Sequence, residues 1–332
     1  MRDAPEPFAP PAPEAAQAAA REAAAGLNDV MRRDFAVVVP AYNEAEVVEV
    51  LVAELRRAFR EYDLHGDVVL VDDGSTDGTA DLARSAGAGW DALTVLRHRS
   101  NQGKTEAMVT AAAHTDRTFL VLFDADLQHL PEEIPRFLAT LQEGWDIVTG
   151  RKVGPYGKRA VSSTYNALSR RVFKVPVSDL NSMKAFRREI LDEIQLRHDW
   201  HRFFVVLAHA RGWTVTEIDI TLHPRRAGTS KYRGPFRILI GGLDLVSVAF
   251  LLLFSRKPLL LFGATGVALI VAGLGVGVAA FWLRFAQGFG FRPFLYLVVL
   301  LETVGFLLFG FGLMAEMIAQ LRAELDALRR RR

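Results

Sequence analysis

Two carboxylates and a carboxamide follow an unbroken apolar run in FLVLFDADLQHL, residues 119–130. Asp124, Asp126 and Gln128 offer hard oxygen donors, which suit Mg2+ or Mn2+. Such a cation keeps part of its water and bridges protein carboxylates to a diphosphate, acting as a Lewis acid on a departing nucleotide diphosphate. The 332 residues include no cysteine, which excludes a thiolate metal site and a disulfide framework. Asp-x-Asp alone occurs in many solvated turns. It gains meaning from two further clusters, Tyr42-Asn43-Glu44 after FAVVVPA and Asp72-Asp73-Gly74 after DVVLV. Acids gathered at the ends of several apolar runs repel one another unless a cation or sugar hydroxyls lie between them.

Each cluster is framed by a strand before it and a helix after it. FAVVVPA predicts a strand and the periodic stretch from about Ala45 to Arg60 a helix; Val68 to Val71 and the segment from Thr79 repeat the plan. ALTVLRHRSNQGKTEAMVTAAAH adds a third strand and helix, and TFLVLFDAD a fourth strand. This alternation predicts an α/β, Rossmann-like, doubly wound and mainly parallel sheet covered on both faces. Ligands of such sheets lie beyond the carboxyl ends of the strands, where all three clusters fall.

The rest of the chain divides by composition. Residues 1–33, rich in Pro and Ala with few large apolar groups, predict a disordered tail without a secretory signal. The catalytic α/β domain is expected over 34–234, and an amphipathic interfacial helix over 235–257. Residues 259–283 carry no charge and suffice to cross a bilayer; 294–315 form a second such run containing Glu302. A membrane-embedded hairpin over 258–319 and a basic cytoplasmic tail over 320–332 complete the plan. Arg256, Lys257 and the closing run of arginines place the catalytic domain and both hairpin ends in the cytoplasm. Glu302 and the glycines of the first span predict helix contacts beyond one hairpin, as in a homo-oligomer. A formal charge of +2 gives no bulk electrostatic footprint for nucleic acid.

The ordered series VVVPAYNEAEVV, VDDGSTDGT, NQGKTEAM and DADLQHLPEEIP resembles the family-two inverting glycosyltransferases of the GT-A fold. The likeness is greatest to the dolichol-phosphate mannose synthase-like branch and its bacterial polyprenyl-phosphate sugar transferases, and it covers roughly 34–235. It implies transfer of a hexose from a UDP- or GDP-sugar to an undecaprenyl or dolichyl phosphate at the cytoplasmic leaflet. By motif, Pro40, Ala41, Tyr42 and Glu44, with Asp72 and Asp73, hold the nucleoside. Asp126 and Gln128 ligate the metal, with Asp124 oriented toward metal and donor. Arg151, Arg159 and Ser163 resemble the acceptor-phosphate clamp, and Arg225 and Lys231 a loop closing over the donor diphosphate. A polyprenyl phosphate is already ionised near neutral pH, so alignment and leaving-group stabilisation suffice without a dedicated base.

Several residues stay open at this point. Lys104 either touches the nucleotide or caps the helix after NQGK. His198 and His201 are structural or contact the lipid phosphate. Asp179 precedes NSMKAFRR, which lacks the glycine of the Ser-Gly-Phe sequence found in many relatives, so its role is unassigned. Two competing readings are a polysaccharide synthase and a non-catalytic nucleotide-sugar sensor partnering a flippase. The first is disfavoured by the missing Gln-x-x-Arg-Trp motif and extra spans, the second by the intact DADLQ.

Overall fold

The computed structural model describes residues 13–153, 175–180, 182–194, 196, 200–223, 247–248, 250, 258–288, 290 and 292–329. The chain forms two compact units that divide after Pro235.

The first unit is built on seven strands: β1 (Phe35–Ala41), β2 (Asp67–Asp72), β3 (Leu93–Arg97), β4 (Phe119–Leu122), β5 (Ile147–Val153), β6 (Lys184–Arg187) and β7 (Val215–Thr221). They run in the order β3-β2-β1-β4-β6-β5-β7. Only β6 is reversed, pairing antiparallel with both β4 and β5. The central strands are buried along nearly their whole length, which is why they read as continuous β-branched runs rather than alternating ones. β1 pairs with β2 on one side and β4 on the other, so the connections diverge at its carboxyl end. Open α/β sheets bind their ligands outside such a switch point, which here lies between the loops after β1 and β4.

Helices α3 (Val48–Glu61), α4 (Thr79–Ala86), α5 (Lys104–Ala113) and α6 (Glu133–Gln142) follow the first four strands. In α3, Val48, Leu51, Val52, Leu55 and Phe59 recur at helical spacing and are buried in the core. Each such side chain contributes about 1.5–3 kcal/mol relative to exposure. The short α7 (Glu189–Glu193) and α8 (Phe204–Ala210) lie between β6 and β7.

The N-terminal segment corrects one expectation. Residues 13–33, expected to be disordered, form α1 (Pro13–Ala25) and α2 (Asp29–Arg33), and α1 packs on α6. Ala20, Ala24, Leu27 and Met31 are buried in the main core. The Gln142 amide receives a hydrogen bond from the Asn28 N–H at 2.8 Å and donates to the Gly26 carbonyl at 2.9 Å. Alanine serves here as a close-approach surface, so a stripe of small residues packs where composition suggested nothing to bury.

The second unit contains α9 (Pro258–Ala286) and α10 (Arg292–Arg329), packed against each other. By length and composition, 258–286 and 292–321 can each cross a membrane. A methyl group at Gly266 would lie 2.6 Å from the Gly305 carbonyl oxygen, so the two backbones touch only because both residues lack side chains. Glu302 packs at Gly273, and the Leu259 N–H donates to Glu316 at 3.2 Å. The segment expected as a separate basic tail from 320 instead continues α10 to Arg329. Its residues LRAELDAL are strong helix formers. Residues of the expected interfacial helix at 235–257 lie almost entirely outside the described residues.

Candidate active site

Pro40 and Ala41 end β1, and the turn beyond them is tied to the loop after β2. The Asn43 N–H donates to Ser75 Oγ at 2.8 Å, and Asn43 Oδ1 accepts from the Thr76 N–H at 2.9 Å. The Glu44 N–H donates to Thr79 Oγ1 at 2.9 Å, and the Ala45 N–H to Asp77 at 3.1 Å. Burial pushes the Asp77 carboxyl up, but hydrogen bonds from Thr79 and Ala45 outweigh it and hold it below its ordinary value. Asn43 has φ +53°, a left-handed conformation that Asn tolerates. Tyr42 is 36 % exposed at the rim. Asp72 is fully buried; its Oδ1 accepts from the Ser75 N–H at 3.0 Å, and Oδ2 lies 3.4 Å from Arg97 Nε.

Asp73, expected beside the nucleoside, is bonded to the loop that follows β3. Its Oδ1 accepts from His98 Nδ1 at 2.7 Å and the Gln102 N–H at 2.8 Å, and its Oδ2 accepts from the Gly103 N–H at 2.7 Å. Only 3 % exposed, it anchors the NQGK loop. Gly74, at φ +73°, permits this close approach: a side chain there would lie 2.5 Å from the Ser100 backbone.

That loop leads into Lys104, the first residue of α5, whose ammonium pairs with Asp124 at the end of β4. Desolvation pushes the Asp124 carboxyl up, and the Lys104 charge more than reverses it, holding Asp124 well below the usual carboxylate range. Asp124, Asp126 and Gln128 are partly exposed and alternate with buried Ala125, Leu127 and His129, so the three oxygen-bearing side chains share one face. Leu127, buried to 1 %, sits at φ +52°. A bulky residue in the left-handed region is uncommon, and such strain clusters at functional sites.

The segment is pinned from behind. Glu132 pairs with Arg57 of α3, Glu133 with Arg136 at 2.5 Å, and Arg136 donates to the Asp219 carbonyl at 3.0 Å. The His223 N–H donates to the Gln128 carbonyl at 2.8 Å, and the Gln128 amide donates back to the His223 carbonyl at 3.3 Å. The His223 backbone therefore pins Gln128, a contact that sequence reasoning missed; its position just past β7 in HPRR was the available signal. Among the described residues no three Asp, Glu or His side chains gather as a ready metal cage. The donor set present, one or two carboxylates with an amide, fits a cation that takes its remaining ligands from water and phosphate.

Arg151 is engaged elsewhere. On β5 it stands opposite Asp219 of β7, which it contacts at 2.5 and 2.9 Å, with Glu217 at 3.5 Å. Arg159, Ser163, Arg225, Lys231 and His198 lie outside the described residues. His201 is buried, and its backbone N–H and Nδ1 each lie 3.2 Å from Thr105 Oγ1, fixing the start of α5. Asp179 pairs with Lys152 at 3.3 Å. Buried Lys184, another residue unforeseen from sequence, donates to the Ser182 carbonyl at 2.9 Å.

A mainly parallel sheet with one reversed strand, carrying an Asp-x-Asp segment at its switch point, defines a glycosyltransferase of the GT-A class. Solved structures of glucosyl-3-phosphoglycerate synthase from Mycobacterium tuberculosis share this fold. The complex with Mg2+ and UDP aligns at TM-score 0.54 and 20% identity over 72% of this chain and 83% of that one. The complex with Mn2+, UDP and glucosyl-3-phosphoglycerate aligns at TM-score 0.53 and 20% identity over 75% and 85%. The Glycosyl transferase family 2 profile matches residues 36–208, and the chain belongs to that family. Among its relatives are the undecaprenyl-phosphate 4-deoxy-4-formamido-L-arabinose transferases of Salmonella choleraesuis (strain SC-B67) and Salmonella paratyphi B (strain ATCC BAA-1250 / SPB7). Each is 30% identical over 301 residues, 88% of this chain and 90% of the relative.

Proposed function

We propose that this glycosyltransferase moves a sugar from a nucleoside-diphosphate donor to a polyprenyl phosphate at the cytoplasmic face of a membrane. The reading is carried by the extent of the likeness to the undecaprenyl-phosphate transferases, since 88% of the chain is too large a share to omit the apolar hairpin. In it, Pro40, Ala41, Tyr42, Glu44 and Asp72 receive the nucleoside. Asp126 and Gln128, the latter pinned by the His223 backbone, would hold Mg2+ or Mn2+, which would supply Lewis-acid neutralisation of the departing diphosphate. Lys104 holds Asp124 ionised and oriented at the rim. The acceptor phosphate brings its own nucleophilic oxygen, so the protein aligns it and offsets charge, a task for Arg159 and Ser163 with Arg225 and Lys231 over the donor. Arg151 joins them by exchanging Asp219 for phosphate. The sugar is a hexose or a pentose derivative, the latter because the relatives are named for one.

The test is transfer of label from a panel of UDP- and GDP-hexoses and pentoses to undecaprenyl phosphate by the purified chain, with Mn2+ and then with EDTA. A chloroform-soluble product lost with EDTA and reduced about 100-fold or more in Asp126→Ala is expected. Product formation that is indifferent to both treatments would sink the metal assignment, and transfer only to water-soluble acceptors would sink the lipid one.

A further inference from the structure

Lys184 is buried to 1 % exposure, although lysine is almost never fully buried without a partner. It opens β6 and pairs in register with Leu122, two residues before Asp124. Its ammonium donates to the Ser182 carbonyl, and no carboxylate lies within ion-pair distance of it among the described residues. Two ion pairs flank it, Lys104 with Asp124 and Lys152 with Asp179, and both carboxylates attract its charge while both lysines oppose it. Burial, then Lys104, push the Lys184 amine down to about 7. Ser182 Oγ, two residues before Lys184, and His129 Nδ1 are buried without a hydrogen-bond partner among the described residues.

Lys104 is matched by Asp124 and Lys152 by Asp179, whereas the Lys184 ammonium has only the Ser182 carbonyl as a polar contact among the described residues. An uncompensated buried charge costs stability, and strongly perturbed groups of this kind concentrate at functional sites. We propose that Lys184 is a positioning residue for sugar transfer. In its protonated form it attracts the Asp124 and Asp179 carboxylates and adds positive potential at the strand ends where leaving-group charge develops. The role rests on the donor site proposed above and is independent of which acceptor is used. Charge fixed in a dry site before the reaction stabilises developing anionic charge without reorganisation.

Lys184→Met and Lys184→Gln test this in the full-length chain in detergent. Gln keeps a donor for the Ser182 carbonyl and removes the charge; Met fills the volume and removes both. Binding of UDP and GDP with Mn2+, Tm, and the kcat and donor KM of transfer are the readouts. Both variants are expected to bind nucleotide within about threefold of wild type while kcat falls about 30-fold or more and KM stays within about threefold. Lys184→Met is also expected to raise Tm, because it removes a buried charge. Nucleotide binding with an unchanged kcat in Lys184→Gln would overturn the inference alone. A lowered Tm in both variants, with kcat and KM otherwise as in wild type, would reduce Lys184 to a structural residue. Failure of the wild-type chain to bind either nucleotide would overturn the donor site and this inference together.

Discussion

Asp73 and Asp124 close neighbouring loops with different partners, and the difference assigns their work. Asp73 is saturated by two backbone N–H groups and His98, so it shapes the loop that delivers Lys104. Asp124 meets that same lysine and stays partly exposed at the rim. A third acid, Asp67, sits at the start of β2, away from these loops. Hydrogen bonds from Arg117 at 2.8 and 2.9 Å hold it below its ordinary value, against the opposing effect of burial. A depressed carboxylate contributes stability above its unfolded pKa, about 3.9, and loses that contribution as pH falls through the folded value. Asp67→Asn is therefore expected to lower Tm at pH 7 and to converge on wild type as the pH falls below the unfolded value and through the folded one. Parallel Tm curves over that range would remove Asp67 from the acid response. The sequence exposed DADLQ because its acids interrupt an apolar run. It hid the saturation of Asp73 and the Arg151–Asp219 pair, which depend on contacts 25 to 68 residues apart.

The strand-loop-helix repeats were legible since each carries a buried β-branched run, a turn cluster and an apolar helical stripe. α1 was not, because alanine gives no amphipathic contrast, and its packing depends on how closely α6 approaches. Enlarging a fully buried alanine tests that account. Ala20→Leu is expected to cost about 1–3 kcal/mol through overpacking, seen as a fall in Tm of the full-length chain. A neutral result would mean that α1 yields without disturbing the core. β6 was equally obscure: four residues, KAFR, give too short a pattern to distinguish from a helix entry.

The chain carries both a glycosyltransferase domain and two helices long and apolar enough to cross a bilayer. Those helices meet at Gly266 and Gly305 and expose many large apolar side chains, including Leu260, Phe281, Phe285 and Leu300. Apolar exposure on that scale marks a membrane or protein contact. Alkaline carbonate washing of membranes is expected to leave the full-length chain in the pellet; release into the supernatant would show that the helices only lie on the surface. The reversed strand has a consequence of its own for how the molecule changes. Every parallel strand reaches the rim by its exit, whereas β6 reaches it by its entrance. The described residues leading into β6, among them Asp179 and Ser182, thus come to the same end of the sheet as DADLQ. That end of the sheet is lined by chain arriving as well as chain leaving, so a substitution before β6 reaches it without altering the exit of any parallel strand.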